Sequence, residues 1–445
     1  MEKSKLKKDE REPDVLNPEL PHPTKLFVEV TTRCNLKCSM CVKQTPDGSI
    51  PEGNLSPELF RRLEPAFSHL ETMVLNGIGE PLLHPQLDDF IKRAKELMPE
   101  NAWVGFQSNG MLLTEDRALS LIDSGLDRIC LSVDSVSSET FSKIREGGEV
   151  HDIERAFTVL SKARERRNNN KLKVGIEFVL MKDNLFDLPR TIRWAAGHGA
   201  SFAIVTQLLP YDKSIARKAV YDTNTFEAIS VFKRWKELAE KEGVDIFEYY
   251  DVFMKFFKNS YEEKLCDFIE KMKAEARSND TTLHLERLFS RDEEWFRTVE
   301  EVFEETRAVA GEFNIDIVLP ELAPKNNRKC EFVESMSAFV SWDGNIHPCY
   351  FLWHRYVCYI GGLEKFVKPW SFGNLKENDI LEIWNRDEFR DFRKRVLHYE
   401  FPFCFDCSFA LCDYAQMEDF IQDCYTIKVP CGACLWCTGL FHCLQ

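Results

Sequence analysis

No stretch of the chain approaches the ~18 uninterrupted apolar residues of a membrane-spanning helix, so no transmembrane segment is expected. The opening, MEKSKLKKDEREPD, is charged and has no apolar core, which excludes a signal peptide or a membrane anchor there. Basic residues are in deficit: 58 Lys and Arg against 73 Asp and Glu give a formal net charge of −15. Sequence-independent nucleic-acid binding needs a basic face to displace phosphate counterions, so that class of partner is not expected. No internal repeat or low-complexity tract stands out. These absences point to a cytoplasmic protein that engages neither membrane nor nucleic acid.

Cysteine, by contrast, is plentiful, with sixteen in 445 residues. The cytoplasm keeps thiols reduced, so a disulfide framework is a poor explanation and metal binding a better one. Hydrophobic residues make up 44% and charged residues 29%, an ordinary globular balance. At this length a single core stops growing, and two or three domains are expected.

Residues 1–24 read as a flexible, charged lead-in, and a strand–loop–helix rhythm follows over 25–210. Apolar runs suited to buried parallel strands occur at 26–30, 72–75, 103–106, 128–133, 173–180 and 202–206. Ser56 followed by Pro57 announces a helix start, and Thr114 and Gly125 bracket another helix. Alternating strands and helices imply a parallel sheet with right-handed crossovers. Six units predict an α/β fold, an open, partial (β/α)6 TIM-like barrel. Active sites of such barrels lie on the loops where strands end. Polar and glycine residues gather at those positions: NGIGEP from Asn76, QSNG from Gln107 and SVDS from Ser132. Residues 211–329 read as a charged helical insert that ends with a strand, Ile315 to Leu319, completing the barrel. Its stripes, Phe226, Ile229, Phe232, Trp235 and Leu238, then Phe253, Phe256, Phe257, Leu265 and Phe268, are expected to be buried helix faces. The region 330–445 is cysteine-rich.

The first strand runs into EVTTRCNLKCSMC, which places Cys34, Cys38 and Cys41 at spacings x3 and x2. Iron–sulfur clusters usually take four thiolates. Three on one loop leave an iron open, as a catalytic zinc site leaves a position for its reactant. This motif, with Met40 before its last cysteine, resembles the radical S-adenosylmethionine (SAM) superfamily. The resemblance implies a 4Fe–4S cluster on Cys34, Cys38 and Cys41 and SAM bound at its open iron. One electron passed into the sulfonium would release methionine and a 5′-deoxyadenosyl radical, which takes hydrogen from a substrate. Gly77, Gly79 and Glu80 match the segment that contacts the SAM amino group, with Ile78 between glycines that are usually adjacent. Ser108, Asn109, Ser132 and Asp134 stand where the family places groups for the SAM ribose and carboxylate, and Asn184 is a weaker candidate. Each of these residue types is also a common loop or capping residue.

Downstream, Cys330 and Cys349 bracket Gly344 as Cys-x13-Gly-x4-Cys, and SFGNLKENDILEIW follows before Cys404, Cys407 and Cys412. This stretch resembles SPASM domains, which implies one or two auxiliary 4Fe–4S clusters and a peptide or protein substrate. The pattern departs from the family where Gln416 replaces an expected cysteine, and Cys424 is a candidate substitute. The tail CGACLWCTGLFHC adds Cys431, Cys434, Cys437 and Cys443. Candidate auxiliary ligands are therefore Cys330, Cys349, Cys404, Cys407, Cys412, Cys424 and Cys443, with the three tail cysteines before Cys443 unassigned. Cys130, Cys266 and Cys358 read as buried small hydrophobes, and His347 as a solvated loop residue. The tail is similar to a subgroup described as metalloenzyme maturases, and an electron donor of flavodoxin or ferredoxin type is implied. The first strand begins by Leu26, so no leader-binding domain is expected before it, and the helical insert is the expected docking surface. The catalytic acid, base or radical quencher is not readable; Tyr211, Cys358 and a tail cysteine are candidates. Two rivals remain: a non-catalytic iron–sulfur protein for electron transfer or cluster assembly, and a zinc-stapled interaction protein.

Overall fold

Seven strands follow one another in the sheet in chain order, because each helix returns the chain to start the next strand alongside the last. The computed structural model describes residues 18–45, 50–361, 363–404 and 419–445. The strands are β1 (Lys25–Val28), β2 (Thr72–Val74), β3 (Trp103–Ser108), β4 (Arg128–Ser132), β5 (Lys173–Leu180), β6 (Phe202–Gln207) and β7 (Asp316–Val318). All neighbours among them pair in parallel. The six expected strands are β1 to β6, and β7 adds to β6 as the run at Ile315 predicts. Two strands of the sheet were not legible: β8 (Ser337–Val340), from the cysteine-rich region, pairs in parallel with β1, and β9 (Ile346–His347) follows it antiparallel. The fold is α/β with a largely parallel sheet.

Strand alternation assigns the two faces. On β3, Val104 and Phe106 are fully buried, and on β5 so are Ile176 and Phe178, on the side where the Leu87–Leu97 and Leu188–Gly197 helices pack. Gln107 and Glu177 have the opposite parity and face the inner side, which the C-terminal region covers through Phe27–Tyr350 and Phe339–Tyr350 ring contacts at 5.1 Å. The helix caps form as their residue types predict. Ser56 accepts from the Leu59 N–H, Thr114 accepts from the Arg117 N–H, and Gly125 ends its segment at φ +92°.

Residues 226–289 form helices with a core of their own around Ile229, Phe232, Leu265, Phe268 and Met272. The Glu293–Phe313 helix instead joins the main core and packs on the Leu188–Gly197 helix. Part of the expected stripes is exposed. Phe226 and Leu238 lie open, and Phe253, Phe256 and Phe257 stand 49%, 92% and 87% exposed. The cause is local: Asn259 forms a capping box with Glu262 and starts a helix at Ser260, so Phe256 and Phe257 fall in the turn before it. Residues 18–24 of the expected lead-in are hydrogen-bonded to the C-terminal region. The Leu20 and Pro21 carbonyls accept from Trp384 and Asn385, and the Thr24 N–H donates to Met336.

Candidate metal and cofactor site

The Cys34–Cys41 loop leaves β1 and is pinned from two sides. Thr31 and Thr32 hydroxyls donate to the Gly53 and Pro51 carbonyls, while the Lys37 and Ser39 N–H groups donate to Glu146 and Ile144 at 2.9 Å. The second pair brings Arg145 to the thiols: its guanidinium stands 3.9 Å from Cys38 Sγ and is ion-paired at 2.7 Å with Asp134. Both ends of that pair are buried, with Asp134 0% and Arg145 7% exposed. Cys34, Cys38 and Cys41 lie within electrostatic reach of one another, and burial pushes the Cys41 thiol up to about 11. A cysteine that ligates a metal must be a thiolate. Three converging thiols beside one buried cation therefore suit a group that carries positive iron and shares its charge with Arg145. Among the described residues no three Cys, His, Asp or Glu side chains close on a single ion. Thiolates of a cubane bind different irons and so stand wider apart than donors sharing one ion.

Glu80 closes the site from the end of the second strand. Its buried carboxylate accepts from the Leu82 N–H, the Ser108 hydroxyl at 2.7 Å and the Asn109 N–H at 2.8 Å, and burial pushes its pKa up against those donors. The Glu80 N–H in turn donates to the Arg33 carbonyl at 2.7 Å. The glycines of this segment are fixed by close approach. A Cβ at Gly79 would lie 2.3 Å from the Thr31 carbonyl oxygen, and one at Gly77 2.3 Å from Glu29 Cγ. Asn109 donates to Asn35 at 2.8 Å and reaches Cys34 Sγ at 4.0 Å. Ser132 lies at the end of β4, 9% exposed. Asp134 accepts from the Val179 N–H and faces Arg145, and Asn184 donates to the Asp134 and Val179 carbonyls. The structure thus gathers Glu80, Ser108 and Asn109 against the cysteine loop and turns Asp134 toward Arg145.

A second cysteine set surrounds an apolar cavity lined by Cys330, Cys349, Cys431, Cys434 and Cys437. Cys404 is adjacent, since a Cβ at Gly432 would come within 2.7 Å of its sulfur. Buried Arg328 lies over the Phe403 and Phe401 rings at 3.7 and 4.3 Å, within reach of Cys437, Cys431 and Cys404. The donor set fits a four-thiolate cluster with one arginine as counter-charge. Of the expected ligands, Cys330, Cys349 and Cys404 are here. Cys424 is exposed, Cys443 lies near Tyr350 and Glu177 instead, and Cys407 and Cys412 lie outside the described residues. Cys130 and Cys358 are fully buried, as expected. His347 corrects its reading as solvated: it is 2% exposed, hydrogen-bonded to the Trp370 carbonyl and Ser341, and burial holds its imidazole down at about 4. Arg145, Arg328 and Glu177 were missed. Only Glu177 carries a sequence signal, a charge set among apolar neighbours, whereas Arg145 and Arg328 stand in polar stretches that read as solvated.

Comparison with known proteins follows the same division. Residues 28–195 match the radical SAM superfamily model, and residues 330–408 match SPASM, an iron–sulfur cluster-binding domain. The chain is a radical SAM protein with a SPASM domain. The radical SAM domain implies a 4Fe–4S cluster and SAM, and the SPASM domain implies auxiliary iron–sulfur. A relative from Pyrococcus furiosus, the tungsten-containing aldehyde ferredoxin oxidoreductase cofactor-modifying protein, is 27% identical over 94% of this chain and 96% of its own length. The GTP 3',8-cyclase of Campylobacter curvus is 31% identical over 35% of this chain and 47% of its own. Among solved structures, Streptococcus suis SuiB bound to S-adenosylmethionine is 14% identical, with TM-score 0.48 over 84% of this chain and 69% of that one. In this radical SAM protein no helix among the described residues is long and apolar enough to cross a membrane.

The auxiliary site carries its own expectation. Cys434→Ala should lower iron by roughly four atoms per chain, whereas Cys424→Ala should leave iron content unchanged. Iron and acid-labile sulfide analysis of anaerobically prepared protein measures both, and equal losses in the two variants would contradict the placement.

Proposed function

We propose that this radical SAM enzyme cleaves SAM reductively at a cluster held by Cys34, Cys38 and Cys41 and modifies a metalloenzyme target, at its polypeptide or the cofactor it carries. The observation that carries the reading is the convergence of these three thiols beside Arg145 with Glu80, Ser108 and Asn109 on the adjoining strand ends. When bound, the cluster supplies one electron to the SAM sulfonium, and the resulting 5′-deoxyadenosyl radical takes a hydrogen atom from the target. The chain's residues prepare that event. Glu80 uses three of the roughly four acceptor positions of a carboxylate on protein donors, and the remaining one suits the SAM ammonium. Gly77 and Gly79 let this segment lie against β1 and the cysteine loop. Asp134 acts by holding Arg145, and Ser132 remains the candidate for the SAM carboxylate or ribose.

Cys330, Cys349, Cys434 and a further cysteine of the same cavity would hold the auxiliary cluster, which would supply electron transfer with a flavodoxin- or ferredoxin-type donor. Support for a metalloenzyme target comes from the near full-length likeness to a cofactor-modifying protein. The exposed Met254, Phe256 and Phe257 of the insert are the proposed docking surface for a protein target. Anaerobic incubation with SAM and dithionite tests the enzyme reading. 5′-Deoxyadenosine is expected from the wild type and not from the Cys34, Cys38, Cys41 triple alanine variant. An iron-replete protein that forms none would refute it. Deletion of the gene in its source cell should then lower tungsten-dependent aldehyde oxidation, and an undiminished activity would remove that target.

A further inference from the structure

Glu177 is the one charged residue within the strand KVGIEFVL beyond its exposed first residue, Lys173, and it lies on the inner face. Its neighbours on β5, Ile176 and Phe178, are fully buried toward the helices, while Glu177 keeps part of its surface open to the interior. It also terminates a chain of hydrogen bonds that runs one way. The Tyr350 hydroxyl donates to Asn76 Oδ1 at 2.5 Å, Asn76 Nδ2 donates to Gln107 Oε1, and the Gln107 side chain donates to Glu177. Of the four side chains in that relay, only the Glu177 carboxylate is a base that can take up a proton near neutral pH. Arg145, the cation that acts on Glu177, is engaged on Asp134 at 2.7 Å, and His354 is hydrogen-bonded to Glu29 at 3.0 Å.

We propose that Glu177 is the proton acceptor for the substrate on the inner face, and that the substrate part reaching it is a neutral or cationic O–H or N–H donor rather than a phosphate. The inference rests on the reading that the substrate is held on this face beside the cysteine loop. The step is proton transfer alone: the substrate X–H bond breaks, an O–H bond forms on Glu177, and the electron pair stays on X. Removal of a hydrogen atom from an adjacent carbon makes such an X–H bond more acidic, so a carboxylate is a sufficient base. Burial pushes the Glu177 carboxyl up to about 7, with Asp134 adding to the rise and Gln107 and Arg145 opposing it. Cys130 on β4, and Tyr350 and Cys443 from the C-terminal region, also face it; burial raises all three, so they remain neutral near pH 7. A group that titrates near the working pH suits general base catalysis.

Two arms test this. Dicyclohexylcarbodiimide, which adds to protonated carboxyls in apolar sites, is applied to the intact protein and located by mass spectrometry. Labelling of Glu177 is expected to fall several-fold from pH 6 to pH 8, and Gln107→Leu, which removes the donor, is expected to raise labelling at pH 8 at least twofold. Absent or pH-independent labelling overturns the proposal. In the second arm, source cells lacking the gene receive wild type, Glu177→Gln or Glu177→Asp, with iron content checked in each. Target-enzyme activity should drop at least tenfold with glutamine and recover in part with aspartate, and full recovery with glutamine overturns the proposal. Failure of the wild type itself to restore activity would refute the metalloenzyme reading, leaving the labelling result to decide the role of Glu177.

Discussion

Replacing Arg145 with methionine is expected to destabilise the fold by about 3–5 kcal/mol and to strip iron from the cysteine loop. The size follows from what is left behind. Asp134 is 0% exposed, and its second oxygen would face an apolar chain with no water to turn to. Removing one partner of a buried pair leaves the other charge uncompensated, which costs more than the intact pair contributes. The loss of iron has a separate cause. Cys38 would lose the cation 3.9 Å from its sulfur, so gathering negative thiolates on the loop becomes harder. Asp134 holds Arg145 in its charged form throughout the accessible pH range; because Arg145 also opposes the rise of Glu177, the stability loss should grow as pH increases through about 7. Arg145→Lys retains the charge without the planar fork and should fall between the two. Denaturant unfolding and iron analysis of anaerobic protein give both quantities. A methionine variant within ~1 kcal/mol of wild type and carrying full iron would show that the pair is dispensable.

The same residues mark where sequence reading stops. The six parallel strands were legible because a strand buried on both faces reads as an apolar run, and the helix starts because Ser56 and Thr114 are the residue types that accept from free helical N–H groups. The cysteine loop was legible because its ligands are local in sequence. Its counter-charge was not: Arg145 follows a short helix more than 100 residues away, and an arginine in such a loop reads as solvated until the Lys37 and Ser39 N–H groups are seen to dock there. The auxiliary cavity failed for the same reason. Spacing left Cys431, Cys434 and Cys437 unassigned, because it does not show that the tail folds back onto Cys330 and Cys349 while Cys443 continues past them to the inner face. Likewise β8 is four ordinary residues, Ser-Ala-Phe-Val, whose partner β1 lies about 310 positions earlier. Pairings over such separations leave no periodic trace.

Gly79→Ala should have the second large effect, because the added methyl meets backbone on two sides. Its Cβ would lie 2.3 Å from the Thr31 carbonyl oxygen and 2.7 Å from that of Arg33. Neither is the free end of a side chain, so the segment must move as a unit. Doing so breaks the Glu80 N–H bond to Arg33 and carries the Glu80 carboxylate away from Ser108 and Asn109. Overpacking costs up to about 3 kcal/mol and the lost hydrogen bond about 1 kcal/mol more, so a stability loss near the sum is expected, with 5′-deoxyadenosine formation reduced at least tenfold. Gly311→Ala provides the contrast. It lies inside the Glu293–Phe313 helix with no atom within 4 Å of the new methyl, so alanine should stabilise by about 1 kcal/mol and leave activity unchanged. If both glycines tolerated alanine equally, the contact between the Gly79 segment and the cysteine loop would not be what aligns Glu80. The loop would then have to be positioned by its bonds to Pro51, Gly53, Asn109, Ile144 and Glu146.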